Sequence, residues 1–269
     1  MKLIAHCLVK NEDRWIWYVI NSVLDAVDEV LVWDTGSTDN TIEVIKSISS
    51  PKIIFASRLA STPQELTQAR QEMLDQTRAD WLLILDGDEI WTPYSLSQSL
   101  AAVKSQNNLD YLINSYKVLL GDVYHYQEEE AGRYQVGPYS GHVTIRFVNL
   151  KRLLPLRYYQ DYPHESLRTR DGHSLQHLPT ANTVLITSPY LHATHTNRTS
   201  LAQPQTVARS HLFKYELGVP TSKNFPYPKP FYYPHPKTVS SPWTRRSWGY
   251  VINAAWQTPL KYLKRRLIS

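Results

Sequence analysis

The stretch Glu29-Val30-Leu31-Val32-Trp33-Asp34-Thr35-Gly36-Ser37-Thr38-Asp39-Asn40-Thr41 decides the fold. Its first five residues are a nearly continuous apolar run, a glycine bends the chain, and a helical pattern follows over Thr38–Ile48 with Thr38 or Asp39 as its cap. A strand without polar alternation is covered on both faces, as in a parallel sheet. The same unit recurs on either side. Leu3–Val9, Lys52–Ala56 and Asp80–Leu85 read as strands, and Arg14–Leu24 and Pro63–Thr77 read as helices. This alternation predicts an α/β fold, a mostly parallel sheet flanked by helices. Such sheets bind ligands beyond the carboxyl ends of their strands, so chemistry is expected directly after each strand.

Two strand ends carry acids. Asp34 is placed to accept from a base N–H or a ribose hydroxyl, and Gly36 permits the tight turn; an ordinary capped turn would use the same residues. After Trp81-Leu82-Leu83-Ile84-Leu85 comes Asp86-Gly87-Asp88-Glu89, with three carboxylates in four positions. Side chains alternate along an extended chain, so Asp86 and Asp88 point the same way. That crowding is costly unless a cation or a network of donors sits there. Oxygen donors suit Mg²⁺ or Mn²⁺, and magnesium keeps substrate phosphates in its shell. A solvated acidic turn is the plainer alternative.

Composition narrows the classes. The chain has 269 residues, 42% hydrophobic and 20% charged, which suits a globular protein with a substantial core. No apolar run approaches the roughly 20 residues of a membrane-spanning helix. The start, MKLIAHCLVKNEDR, is too short in apolar residues for a signal peptide. A lone Cys7 excludes an internal disulfide framework and a cysteine-rich zinc site, and together these features predict a cytoplasmic protein. Charge is uneven. No Asp or Glu follows Glu216, whereas nine Lys or Arg do, and the first 216 residues hold 20 basic against 24 acidic residues. The basic pI therefore belongs to the C-terminal segment, and predicts an anionic surface as its partner, nucleic acid or acidic lipid.

Taken in order, Cys7-Leu8-Val9-Lys10-Asn11-Glu12, Val27-Asp28-Glu29-Val30 leading into Asp34-Thr35-Gly36-Ser37-Thr38-Asp39-Asn40-Thr41, Ala69-Arg70, and Asp80-Trp81 leading into Asp86-Gly87-Asp88-Glu89 resemble the family 2 glycosyltransferases. The resemblance is collinear over residues 3–92 and rests on short islands beyond. It implies a GT-A fold, a nucleotide-sugar donor, Mn²⁺ or Mg²⁺ as cofactor, and inversion at the anomeric carbon. Asp34 then matches the acid that contacts the nucleotide base, and Arg70 the arginine facing base or phosphates. Asp86 and Asp88 match the DXD pair, with Asp86 toward ribose and metal and Asp88 on the metal. Glu12 lies near the donor pocket. Asn40 stands where the family's turn commonly has glycine.

Two later islands complete the expected site. Tyr162-Pro163-His164-Glu165-Ser166-Leu167 resembles the segment that supplies the catalytic base. Inverting transfer needs a carboxylate to take the acceptor proton. Glu165 is expected in that role, with Asp161 in reserve and His164 a further candidate; as a structural loop acid, Glu165 would pair with Arg168 or Arg170. In Tyr190-Leu191-His192-Ala193-Thr194-His195-Thr196-Asn197-Arg198 two histidines three apart can share a helical face or a turn. A late histidine completes the metal or pyrophosphate site in many relatives; His192 fits that place first and His195 second.

The domain reading follows: a catalytic domain over 1–217, with a nucleotide-sugar half (1–110) and an acceptor half (111–217). Within the latter, Tyr111–Leu120, Val143–Asn149 and Thr183–Thr187 read as strands, and 121–142 covers the acceptor side or forms a solvated loop. Residues 218–242 hold seven of the 17 prolines and are predicted to run extended over the surface. Residues 243–269 are predicted as two basic amphipathic helices, Trp243–Gln257 and Leu260–Ile268, divided at Pro259 with Thr258 as cap. Trp248, Ile252 and Trp256, then Leu260, Leu263 and Leu267, form apolar stripes, with Lys261, Lys264, Arg265 and Arg266 largely outside them. That is the pattern of a helix in an anionic membrane interface, unless both stripes pack on the protein's own sheet or on a second subunit. The reaction expected is transfer of a hexose from a nucleotide-diphosphate sugar, uridine before guanosine or thymidine, to a hydroxyl of a glycan or lipid-linked acceptor. A nucleotidyltransferase is disfavoured because Val9-Lys10-Asn11-Glu12-Asp13-Arg14 lacks glycine. A nucleic-acid-binding protein, stacking bases on Trp243, Trp248 and Trp256, leaves the acidic clusters unexplained, so no nucleic-acid partner is expected.

Overall fold

A computed structural model describes residues 1–106, 108–196 and 214–268. Its first half follows the predicted alternation: β1 (Leu3–Val9), α1 (Ile16–Val23), β2 (Glu29–Asp34), α2 (Thr41–Lys46), β3 (Ile53–Ser57), α3 (Pro63–Gln76) and β4 (Trp81–Asp86). The four strands are parallel in the order β3-β2-β1-β4. In register, Val9 lies beside Asp34 and Leu8 beside Asp86, so the carboxyl ends of three strands meet along one rim. α3 opens on a reciprocal cap: Glu65 N–H donates to Thr62 Oγ1 at 3.2 Å, and Thr62 N–H donates to Glu65 Oε2 at 3.1 Å. α2 is shorter than predicted. Asn40 takes the cap position and Asp39 Oδ1 accepts from Thr41 N–H at 2.9 Å, which holds Thr38 to Asn40 outside the helix.

The second half adds β5 (Glu89–Ile90), α4 (Pro93–Ser105), β6 (Tyr111–Tyr126), β7 (Tyr134–Val136), β8 (Tyr139–Gly141), β9 (Val143–Asn149), α5 (Leu150–Leu153), β10 (Leu156–Tyr159), β11 (Ser166–Thr169), β12 (Thr183–Thr196), β13 (Val219–Pro220) and α6 (Trp248–Ile268). The sheet continues as β4-β9-β6-β12-β5, with β13 also on β6. β9 runs antiparallel to both β4 and β6. β12 outruns its predicted end at Thr187. It passes Ser188-Pro189 through a register shift between Ile186 and Tyr190, where the ladder tolerates a residue without N–H. His192 and His195 therefore stand on a strand, not on a helix or turn, and a second shift separates them. Residues 121–142 are not a solvated loop: they extend β6, then form the β7–β8 hairpin, with Gln127 and Val136 buried.

Residues 218–242 are largely without regular structure, yet they do not merely run over the surface. Phe231 is buried and meets Tyr18 edge-on at 5.3 Å, inside the aromatic core that includes Trp15. α6 is one helix, not two. Pro259 lies inside it, and Thr258 is no cap: its hydroxyl donates to Ala254 O at 2.7 Å and accepts from Leu217 N–H at 2.9 Å. A proline removes one intrahelical bond, and the docking of the preceding turn offsets that loss. The predicted apolar stripe is exposed. Of the basic residues placed outside it, Lys261 and Arg265 face the protein, where Arg265 pairs with Glu128 and Glu216. Among the described residues no helix is long and apolar enough to cross a membrane.

Candidate active site

The rim where β1, β2 and β4 end opens on a cleft of about 1010 Å³. Its base is stitched together by backbone turns. Asn11, left-handed at φ 56°, accepts from Thr38 N–H at 2.8 Å through its side chain, while its own N–H donates to Ser37 Oγ at 2.9 Å. Asparagine adopts that conformation at little cost, which suits it to this joint. Gly36 lies at φ +104°, a conformation that other residues reach only with strain. A Cβ on Gly87 would sit 3.0 Å from Glu12 Cγ and from Val9 Cγ2, so the Asp86-Gly87-Asp88 turn packs directly on the first loop.

Asp86 and Asp88 end up in different surroundings. Asp86 Oδ1 accepts from Arg70 Nη2 at 3.0 Å and Oδ2 from Arg146 Nη2 at 2.9 Å. Burial alone would raise its carboxyl; the Arg146 and Arg70 guanidiniums outweigh burial and hold it well below the usual carboxylate range. Asp88 is 6% exposed, and its Oδ2 lies 3.3 Å from His192 Nε2. Burial would lower the His192 imidazolium, but the Asp88 carboxylate raises it to about 9. Glu89 is fully buried. Tyr190 donates to its Oε1 at 2.8 Å and Arg146 binds the same oxygen. Burial pushes the Glu89 carboxyl up, more than Arg146 offsets.

The other predicted residues divide. Glu12 is buried and lines the cleft. Arg70 lies between Asp86 and Glu165, 3.1 Å from Glu165 Oε1, so Glu165 pairs with Arg70 and not with Arg168 or Arg170. Glu165 lines the cleft, and its Oε2 is buried with no hydrogen-bond partner among the described residues. Asp161 lies outside the lining, and its carboxylate accepts from Gln64 at 2.5 Å. His164 lines the cleft and is exposed. Asp34 is 1% exposed and its carboxylate serves the turn, accepting from Gly36 N–H at 3.1 Å, Ser37 N–H at 3.0 Å and the Ser37 hydroxyl. His195 is buried at the cleft wall. Asn197 and Arg198 of the last island fall outside the described residues.

Sequence reasoning missed Arg146. Arg146 reads as one polar residue in Val143-Thr144-Ile145-Arg146-Phe147, and only the pairing of β9 with β4 brings it to Asp86. A buried guanidinium facing two acids is hard to replace. Arg146→Met is expected to destabilise the fold by about 3–5 kcal/mol, because it leaves Glu89 and Asp86 short of a counter-charge. Urea unfolding reads this directly, and a loss below about 1 kcal/mol would mean that Arg70 and Tyr190 suffice.

With this geometry established, the chain can be placed among known proteins. The profile of glycosyl transferase family 2 matches residues 8–166. An uncharacterised glycosyltransferase of Rickettsia typhi is 32% identical over 115 residues, 43% of this chain and 34% of that protein. The SPbeta prophage-derived glycosyltransferase SunS of Bacillus subtilis is 24% identical over 111 residues, 40% of this chain and 26% of that one. The chain thus matches about a third or less of the length of these relatives. S. aureus TarS 1–349 in complex with UDP-GlcNAc shares the fold, with a TM-score of 0.50 at 17% identity over 74% of this chain and 59% of that one. The family match takes in more than half of the chain, together with the rim, the Asp86-Gly87-Asp88 turn and Arg70, and the chain belongs to glycosyl transferase family 2.

Proposed function

We propose that this protein moves a hexose from a nucleotide-diphosphate sugar to an acceptor hydroxyl, with inversion. The observation that carries the reading is the arginine-braced Asp86 beside the Asp88–His192 pair, on the rim of a cleft large enough for a nucleotide sugar. A uridine donor is supported by TarS, a protein of the same fold that was crystallised with UDP-GlcNAc. The acceptor is a glycan or a lipid-linked sugar, met on the side of the cleft lined by residues 131–136 and Glu165.

The residues suit a divalent metal only as a partial cage. Asp86 gives both oxygens to arginines, and among the described residues no three His, Cys, Asp or Glu groups converge on one point. Asp88 Oδ2 and His192 Nε2, the latter once its proton is displaced, are the donors this chain would offer, and donor phosphates and water would fill the rest. An imidazole in the set favours Mn²⁺ over Mg²⁺. When bound, the metal would neutralise charge on the leaving diphosphate. The chain's own work is to orient. Arg70 and Arg146 fix Asp86 at the rim, and Glu165, in the cleft wall against Arg70, is the proton acceptor, with Asp161 in reserve.

A thermal-shift panel tests the reading. UDP with Mn²⁺ should stabilise the protein, by about 2.7 kcal/mol at a hundredfold excess over Kd, and EDTA should remove most of that gain. No stabilisation by any nucleoside diphosphate with metal would overturn it.

A further inference from the structure

α6 is docked with its polar side inward. The face it turns to the protein carries Tyr250, Ala254 and Thr258, then Lys261 and Arg265. Arg265 donates to Glu216 at 2.7 Å and to Glu128, and Lys261 donates to Tyr215 O at 3.1 Å. These specific bonds fix the rotation of the helix about its axis. The opposite face is then an unbroken stripe of Trp248, Ile252, Trp256, Leu260, Leu263 and Leu267, each more than half exposed and Trp248 and Leu267 more than 80%. A globular protein normally buries such a stripe and gives its cations to water.

We infer that this stripe is a docking surface for an anionic lipid bilayer, on which α6 lies flat. Its 21 residues make a rod about 30 Å long at 1.5 Å per residue. Two tryptophans in an otherwise aliphatic stripe fit the depth of lipid headgroups, where a ring with one polar atom is best placed. Lys264 and Arg266 are exposed and border the stripe on either side, within reach of anionic headgroups. Charge separates this occupant from a second copy of the chain. Lys264 stands exposed beside the stripe and no carboxylate follows Glu216, so two copies packed stripe to stripe would bring like charges together with no acid on either helix to pair across the contact. An anionic surface supplies the missing charge. The helix is also coupled to the cleft: Glu216, which binds Arg265, accepts from Gln127 at 3.0 Å, and Gln127 lines the cleft. The docking surface therefore sits two side chains from the catalytic wall, and this inference holds whichever substrate the cleft takes.

Vesicle co-sedimentation tests it, with the full chain and vesicles of phosphatidylglycerol with phosphatidylcholine, against phosphatidylcholine alone. The protein should pellet with the anionic vesicles and be released by salt. The triple variant Trp248→Ser/Trp256→Ser/Leu260→Ser should partition about tenfold or more weakly, because it withdraws the apolar anchor. All three side chains are exposed, so its urea transition should match that of the unaltered protein, which separates lost docking from lost folding. Lys264→Glu/Arg266→Glu should lose the preference for anionic vesicles. Pelleting by neither protein, or equally by both, overturns the inference. So does a dimer, seen in sedimentation velocity, that the triple variant dissolves while vesicles go unbound. Equal loss of binding to a single-stranded oligonucleotide, again without vesicle binding, would assign the stripe to nucleic acid and overturn it as well.

Discussion

Asp88→Ala is expected to lower glycosyl transfer by about a thousandfold or more and to remove the metal-dependent part of donor binding. A metal at a leaving diphosphate supplies several kcal/mol, and about 4 kcal/mol is a thousandfold. Neither acid of the same turn can take over. Asp86 sits two positions away, but Arg70 and Arg146 occupy its oxygens. Glu89 is fully buried and committed to Tyr190 and Arg146. The fold should survive, because the variant leaves every arginine of the rim with a partner. It removes the Asp88 carboxylate, the largest of the charges that raise His192 to about 9, after which burial draws the imidazole toward its neutral form. Transfer assays give the turnover, and calorimetric titration of UDP with Mn²⁺ or EDTA gives the binding. Unchanged turnover would sink the metal site; unchanged metal-dependent binding with lost turnover would move the metal to other ligands.

The parts of this molecule that were legible in sequence are those whose cause is local. A parallel strand covered on both faces is apolar almost throughout, so β1, β2 and β4 announce themselves, and their carboxylates stand at the strand end or within three residues of it. Asp86 and Asp88 are of this kind, as is the apolar periodicity of α6. What was not legible depends on partners far along the chain. Arg146 matters because β9 inserts beside β4, 60 residues after Asp86. Its strand alternates polar and apolar side chains, and nothing local marks the guanidinium as buried. Glu89 looked like the third acid of a turn, yet its charge is held by Arg146 and by Tyr190, 101 residues on. The stripe on α6 could be read but not its orientation. That is set by Glu128 and Glu216, which lie 137 and 49 residues from Arg265. Thr258 and Pro259 look like a helix boundary, and the hydroxyl's bonds to Ala254 and Leu217 carry the helix through them instead. The histidines of β12 were recognised as candidates, but Pro189 hid the strand that separates their roles.

Glu165→Gln is expected to lower turnover by about a hundredfold or more while donor affinity changes little. In-line attack needs a carboxylate that can reach the acceptor hydroxyl, and Glu165 has one oxygen to spare. Oε1 lies against Arg70, whereas Oε2 is buried in the cleft wall with no donor among the described residues. A buried acceptor left unsatisfied costs about 1–3 kcal/mol, a cost that an acceptor hydroxyl would relieve on binding. Glutamine keeps the shape but cannot take the proton, and it gives up the charge that faces Arg70. The contrast with Asp161 is the sharper half of the test. Asp161 hydrogen-bonds Gln64 outside the cleft lining, so Asp161→Asn should leave turnover within about twofold, the range of a surface change that removes no catalytic group. Rates measured at saturating donor separate the outcomes. If Glu165→Gln weakens donor binding while bound donor still reacts at the normal rate, the residue serves Arg70 and through it Asp86, and the proton goes elsewhere. If Asp161→Asn carries the loss instead, the segment must shift when the acceptor binds, because that carboxylate would have to leave Gln64 to reach the cleft.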